Sequence, residues 1–101
     1  LCNIKDDKIY FDTNSYFDFK SAIIMMEGEE IRLTKKEKLL INLFLNKKNQ
    51  VITYATIENY DWEGSFVSLE SIRSLIRRVR KILNKEYIQT VVDTGYIFKN
   101  I

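Results

Sequence analysis

Apolar and polar residues alternate over the first third of the chain in short runs of period two. Ile9 and Phe11 alternate with Tyr10 and Asp12, and Phe17 and Phe19 with Asp18 and Lys20. Ala22 to Met26 is a compact apolar run, and Ile31 and Leu33 flank Arg32. Such runs place one face of a strand on a core and the other in water. Asn14-Ser15 and Glu27-Gly28 supply turn chemistry between them. The pattern predicts a meander of three or four antiparallel strands with a break near Ser21.

The period then changes to that of a helix. Thr34 followed by Glu37 is a capping-box pair, and Leu39, Leu40, Leu43 and Phe44 recur at helical spacing until Asn46 to Gln50 ends the run. Val51-Ile52 supports only a strand fragment. Thr53 is placed to cap a second helix that contains Ile57 and ends near Trp62, itself a core residue. Glu63 to Ser68 reads as a loop, and Leu69 to Asn84 as the most amphipathic helix of the chain. Leu69, Ile72, Leu75, Ile76, Val79, Ile82 and Leu83 share one side; Arg73, Arg77 and Lys81 recur along the other, flanked by Arg78 and Arg80. Tyr87 to Asp93 is a β-branched strand, Thr94-Gly95 a turn in which Gly95 supplies a positive φ, and Tyr96 to Lys99 a returning strand.

Composition narrows the chemistry. With 101 residues, 46% hydrophobic and 30% charged, the chain is a single domain of ordinary globular make-up. No apolar run approaches the length of a membrane span. There is no His and one Cys, so neither a Cys/His zinc cluster nor a Ser–His or Cys–His pair can form. The three Gly residues make no phosphate-binding loop. These exclusions argue against an enzyme and call for no cofactor. The lone Cys2 and the absence of a signal peptide suit the cytoplasm. A first residue Leu1 in place of Met suggests a fragment, with residues 1–6 the remnant of a linker.

Net charge is only +2, but it is unevenly placed. Residues 1–33 carry four basic and seven acidic side chains, a net of −3, whereas residues 69–85 carry six basic and one acidic, a net of +5. One end of the molecule therefore attracts phosphates.

The expected architecture is α+β: an N-terminal antiparallel sheet (7–33), a three-helix core (34–84) and a C-terminal β-hairpin (85–101). Three helices closed by a hairpin make a winged helix-turn-helix. The residues Ile31-Arg32-Leu33-Thr34 with Glu37, Leu39-Leu40, Val51-Ile52-Thr53 and Trp62 stand here in a characteristic order. Ser71-Ile72, Ile76 to Leu83, Thr90-Val91 and Thr94 to Phe98 continue it. In that order and spacing the chain resembles the C-terminal effector domain of OmpR/PhoB-type response regulators, from about Asp7 to Lys99.

The resemblance implies sequence-specific binding of double-stranded DNA in transcription control. It places Arg73, Ser74, Arg77, Arg78, Arg80 and Lys81 against bases or phosphates. Arg forks onto guanine or phosphate while Lys acts as a point charge. Arg73 and Arg77, central on the exposed face, are the expected base readers, and Arg78, Arg80 and Lys81 the phosphate contacts. Five such cations give a log–log salt slope near −4 to −5. Thr34, Thr53 and Tyr54 offer phosphate contacts at helix N-termini, with plain capping the alternative for the threonines. Thr90, Thr94 and Tyr96 are the wing contacts. Family members carry Arg where this wing has Val92 and Ile97, and Asp93 replaces a usual Gly, so the wing is expected to orient more than to read. By the same resemblance, Gly64, Ser65 and Phe66 belong to the loop that meets RNA polymerase, with Phe66 folded back on the core the alternative to an apolar tip. The full-length protein would pair on tandem half-sites while the isolated domain stays monomeric. A rival reading is a protein-interaction module whose basic face binds an acidic partner.

Overall fold

The computed structural model describes residues 8–62, 67–83 and 87–99; the side chains of Phe11 and Asp12 lie outside that description. Among the described residues the elements run β1 (Lys8–Asp12), β2 (Ser15–Asp18), β3 (Ile23–Met26), β4 (Glu29–Arg32) and α1 (Lys35–Asn46). β5 (Val51–Thr53), α2 (Tyr54–Asp61), α3 (Leu69–Leu83), β6 (Ile88–Val91) and β7 (Gly95–Phe98) follow.

The first four strands form an antiparallel meander in sequence order. Its register aligns Ile9 with Phe17, Phe17 with Ile24 and Ile24 with Ile31, a continuous apolar row across all four strands. Phe17 and Ile24 are fully buried, and Ile9 and Ile31 pack at the edges of the core. A one-residue slip would turn this row to solvent, so burial fixes the register.

The turns refine the expected boundaries. Glu27 and Gly28 take φ of 50° and 87°, the paired left-handed residues of a tight hairpin turn. Ser15, expected in a turn, lies inside β2, fully buried, and its Oγ accepts from the Glu27 N–H at 3.3 Å. Ala22, expected at the head of β3, turns the chain before it with φ of 57°. The Asp18 carboxylate holds that corner, accepting from the Ser21 N–H and hydroxyl at 3.3 and 3.2 Å. Phe19 thereby falls outside β2 and carries the Lys38 ammonium 4.6 Å above its ring.

α1 opens on the anticipated capping box: Thr34 Oγ1 accepts from the Glu37 N–H at 3.3 Å, and Glu37 Oε1 accepts from the Thr34 N–H at 2.9 Å. Its buried face comprises Leu40, Ile41, Leu43, Phe44 and Leu45, with Leu39 only half-buried. Thr53 caps α2 by accepting from the Thr56 N–H at 3.2 Å, and Trp62 closes it.

The C-terminal hairpin gains a third strand. β5 pairs with β7, giving the order β5-β7-β6, with Ile52 opposite Tyr96 and Thr53 opposite Gly95. β6 ends at Val91, so Val92, Asp93 and Thr94 form the turn. The left-handed residue is Asp93, at φ of 59°, and not Gly95. Asp tolerates that conformation because its short polar side chain bonds locally. Gly95 is required for another reason: a Cβ there would lie 2.0 Å from the Ile52 carbonyl oxygen.

Candidate nucleic-acid interface

α3 is held by its apolar side. Ile72, Leu75, Ile76, Val79 and Leu83 are buried, Ile82 is half-buried, and Leu69 at the first turn is 40% exposed. The Ser68 hydroxyl accepts from the Ser71 N–H at 3.2 Å and starts the helix. The opposite side carries Arg73, Arg77, Arg78 and Lys81 in solvent, with Ser74 half-buried.

These cations divide by what they touch. Arg78 Nε donates to Glu37 Oε2 at 3.2 Å, so a guanidinium expected to meet phosphate ties α3 to α1. Glu37 thus uses one oxygen for the α1 cap and the other for Arg78, inside an almost buried site. Arg78→Ala should lower stability by about 1 kcal/mol, the guanidinium being half in water. A double-mutant cycle with Glu37→Gln checks this; additive losses would show that the pair is no clamp.

Arg80 is half-buried and turned to the wing. Its guanidinium donates to the Ile88 carbonyl at 3.2 Å and to Thr90 Oγ1 at 2.9 Å, over the Tyr96 ring. Among the described residues Arg77 pairs with Glu70 alone, at 3.8 Å, with both side chains about 70% exposed. A pair that open contributes little to stability and yields readily to another partner. Arg73 and Lys81 make no hydrogen bond or ion pair with the described residues.

A groove of about 370 Å³ runs between α3 and the wing, lined by Tyr54, Arg73, Arg77, Arg80, Thr90, Asp93 and Tyr96 among others. Its floor corrects one expectation: Tyr96 is 4% exposed, packed edge-on against Tyr54 at 5.8 Å, and is a core residue of the wing. Burial pushes its hydroxyl pKa up, with Tyr54 adding to the effect and Arg80 and Arg73 opposing it. Thr94 is exposed and donates its hydroxyl proton to the Val92 carbonyl at 3.2 Å. The Tyr54 N–H donates to the Thr94 carbonyl at 3.3 Å, joining the start of α2 to the wing turn. Thr34 and Thr53 are exposed and occupied by capping. Gly64, Ser65 and Phe66 lie outside the described residues.

Sequence reasoning passed over two acidic residues. Glu70 sits on the exposed side of α3 beside Arg77, where a helix wheel already places it. Asp61, the last residue of α2, is 3% exposed, and neither carboxylate oxygen has a hydrogen-bond partner among the described residues. Burial pushes its pKa up to about 7, opposed by the Lys36 ammonium. Lys36 Nζ donates to the Asp61 backbone carbonyl at 3.2 Å and stands 4.5 Å over the Trp62 ring. No local pattern marks a carboxylate for burial, since its neighbours come from another helix.

Three helices, an exposed basic third helix and a strand-built wing define a winged helix-turn-helix. Residues 28–98 match the family described as "Transcriptional regulatory protein, C terminal", and the chain belongs to it, as an effector domain of the OmpR/PhoB type. The transcriptional regulatory protein CrdR of Helicobacter pylori is 30% identical over 93 residues, covering 92% of this chain and 42% of that protein. The response regulator protein GraR of Staphylococcus epidermidis is 29% identical over 85 residues, covering 79% and 38%. The chain thus spans about two fifths of the length of these relatives. The RstA DNA-binding domain of Klebsiella pneumoniae, solved in complex with the RstA box, has a TM-score of 0.79. It is 21% identical, and the match covers 93% of this chain and 98% of that one. DrrB of Thermotoga maritima, an OmpR/PhoB homologue, has a TM-score of 0.80 at 25% identity, covering 95% and 46%.

Proposed function

We propose that this domain binds double-stranded DNA sequence-specifically through α3, as the output module of a two-component response regulator. The observation that carries the reading is the row Arg73, Arg77 and Lys81. It stands outward on a helix whose apolar face is buried and whose flanks are tied to α1 by Arg78 and to the wing by Arg80. Such a helix enters a major groove without rearrangement, and its guanidinium groups reach base edges. The RstA domain complex with the RstA box supports the same use of this fold. In the whole protein, a receiver domain would precede Leu1 and pair two copies on tandem half-sites in the cytoplasm. The loop containing Gly64, Ser65 and Phe66 would meet RNA polymerase.

Arg78 and Arg80 are engaged within the protein, which leaves three of the five cations described on α3 for DNA. The log–log salt slope should therefore be about −3 per domain, shallower than five free cations would give. Fluorescence anisotropy with a duplex selected from a random library tests the reading. Arg77→Ala should weaken binding to the selected duplex by about 1–3 kcal/mol and relax preference at one base pair. Equal loss on every sequence would leave Arg77 a phosphate contact, and no binding to any duplex would overturn the function.

A further inference from the structure

Glu70 is the one acidic side chain among the described residues of α3, and it stands on the face that carries Arg73, Arg77 and Lys81. A carboxylate there is costly against phosphate, because it repels the backbone that the neighbouring cations attract. Its first-turn position favours the helix dipole, but only by a few tenths to 1 kcal/mol at such exposure. Its pair with Arg77 is long, at 3.8 Å, and both groups stay in solvent. Neither role needs a carboxylate on the DNA side of the helix.

Resting on the reading of α3 as a DNA-recognition helix, we propose that Glu70 is a specificity-determining residue that selects a cytosine in the major groove. An ionised carboxylate only accepts hydrogen bonds. Guanine O6/N7 and thymine O4 repel it and adenine sets its N7 acceptor beside the N6 amine, whereas the cytosine N4 amine donates to it with no N7 alongside. In recognition helices of this type, residues at the N-terminal end face the base edges, and Glu70 lies in the first turn of α3. Seven residues separate it from Arg77, about 10 Å of helix axis, or roughly three base-pair steps. The open Glu70–Arg77 pair would then part on binding. Glu70 would take a cytosine amine and Arg77 a guanine edge about three steps away.

The test is selection of bound duplexes from a random library by the domain and by Glu70→Gln and Glu70→Ala, followed by titration of the selected sites. Gln presents donor and acceptor together and matches adenine N6/N7. Glu70→Gln should therefore move the preference at one position from cytosine to adenine. Glu70→Ala should flatten that position alone, lowering discrimination there about tenfold. Both variants should bind random duplex more tightly. Unchanged preference in both variants would overturn the assignment while leaving the recognition helix intact. An unaltered domain that binds every duplex equally would overturn the sequence-specific reading and this one with it.

Discussion

Gly95→Ala is expected to cost the domain about 3 kcal/mol or more. The added Cβ would stand 2.0 Å from the Ile52 carbonyl oxygen and 2.9 Å from both Ile52 C and Thr53 Cα. All three are backbone atoms of β5, so no side chain can swing aside. The strand must move off, and with it go the pairings of Thr53 with Gly95 and Ile52 with Tyr96. Circular dichroism melting should show a fall in Tm above about 10 °C, at several degrees per kcal/mol for a domain of this size. Gly28→Ala is the control. Gly28 takes φ of 87° with nothing within 4 Å of an added Cβ, so only left-handed strain of about 1–2 kcal/mol is expected. Equal losses at the two glycines would show that close approach of β5 does not decide the first.

Asp61→Asn is expected to act in the opposite direction, and only at neutral to alkaline pH. A carboxyl that titrates at about 7 in the fold and at 3.8 when free favours the fold only while protonated. Its contribution is fully present below 3.8 and is lost as pH rises through 7. The penalty levels off near 4 kcal/mol at pH 8. Its cause is burial of a carboxylate that has no donor among the described residues, at the helix end where backbone carbonyls already gather negative potential. Asn keeps the shape and removes the charge. Urea unfolding should show a gain of about 3–4 kcal/mol at pH 8 and under about 1 kcal/mol at pH 4. The same gain at both pH values, or none at pH 8, would show that ionisation of Asp61 is not what weakens the fold.

What could be read from the chain divides by the distance over which the cause acts. The capping box of Thr34 and Glu37, the Thr53 cap and the two-sided character of α3 are local, and each stands where its spacing placed it. The N-terminal meander is legible for the same reason, being hairpins whose alternation has one buried solution. Non-local pairings were not legible. Arg78 and Arg80 look equivalent to Arg77 on a helix wheel. Glu37 from α1 and Thr90 from β6 distinguish them, and nothing in α3 announces either. Gly95 was legible as a glycine needed in place, but its reason lay in β5, a three-residue segment too short to declare its partner.

That strand also governs the order in which the domain can assemble. The meander and the three helices form from near neighbours, which close quickly because little loop entropy is lost. The pairing of Val51 with Ile97 spans α2, α3 and β6 along the chain. The β5–β7 ladder is therefore expected to close slowly and late, with α3 inside the loop that it seals. In hydrogen exchange, the amides of this ladder and the lower turns of α3 should open together, as one cooperative unit. The meander should keep a separate and earlier-formed protection of its own.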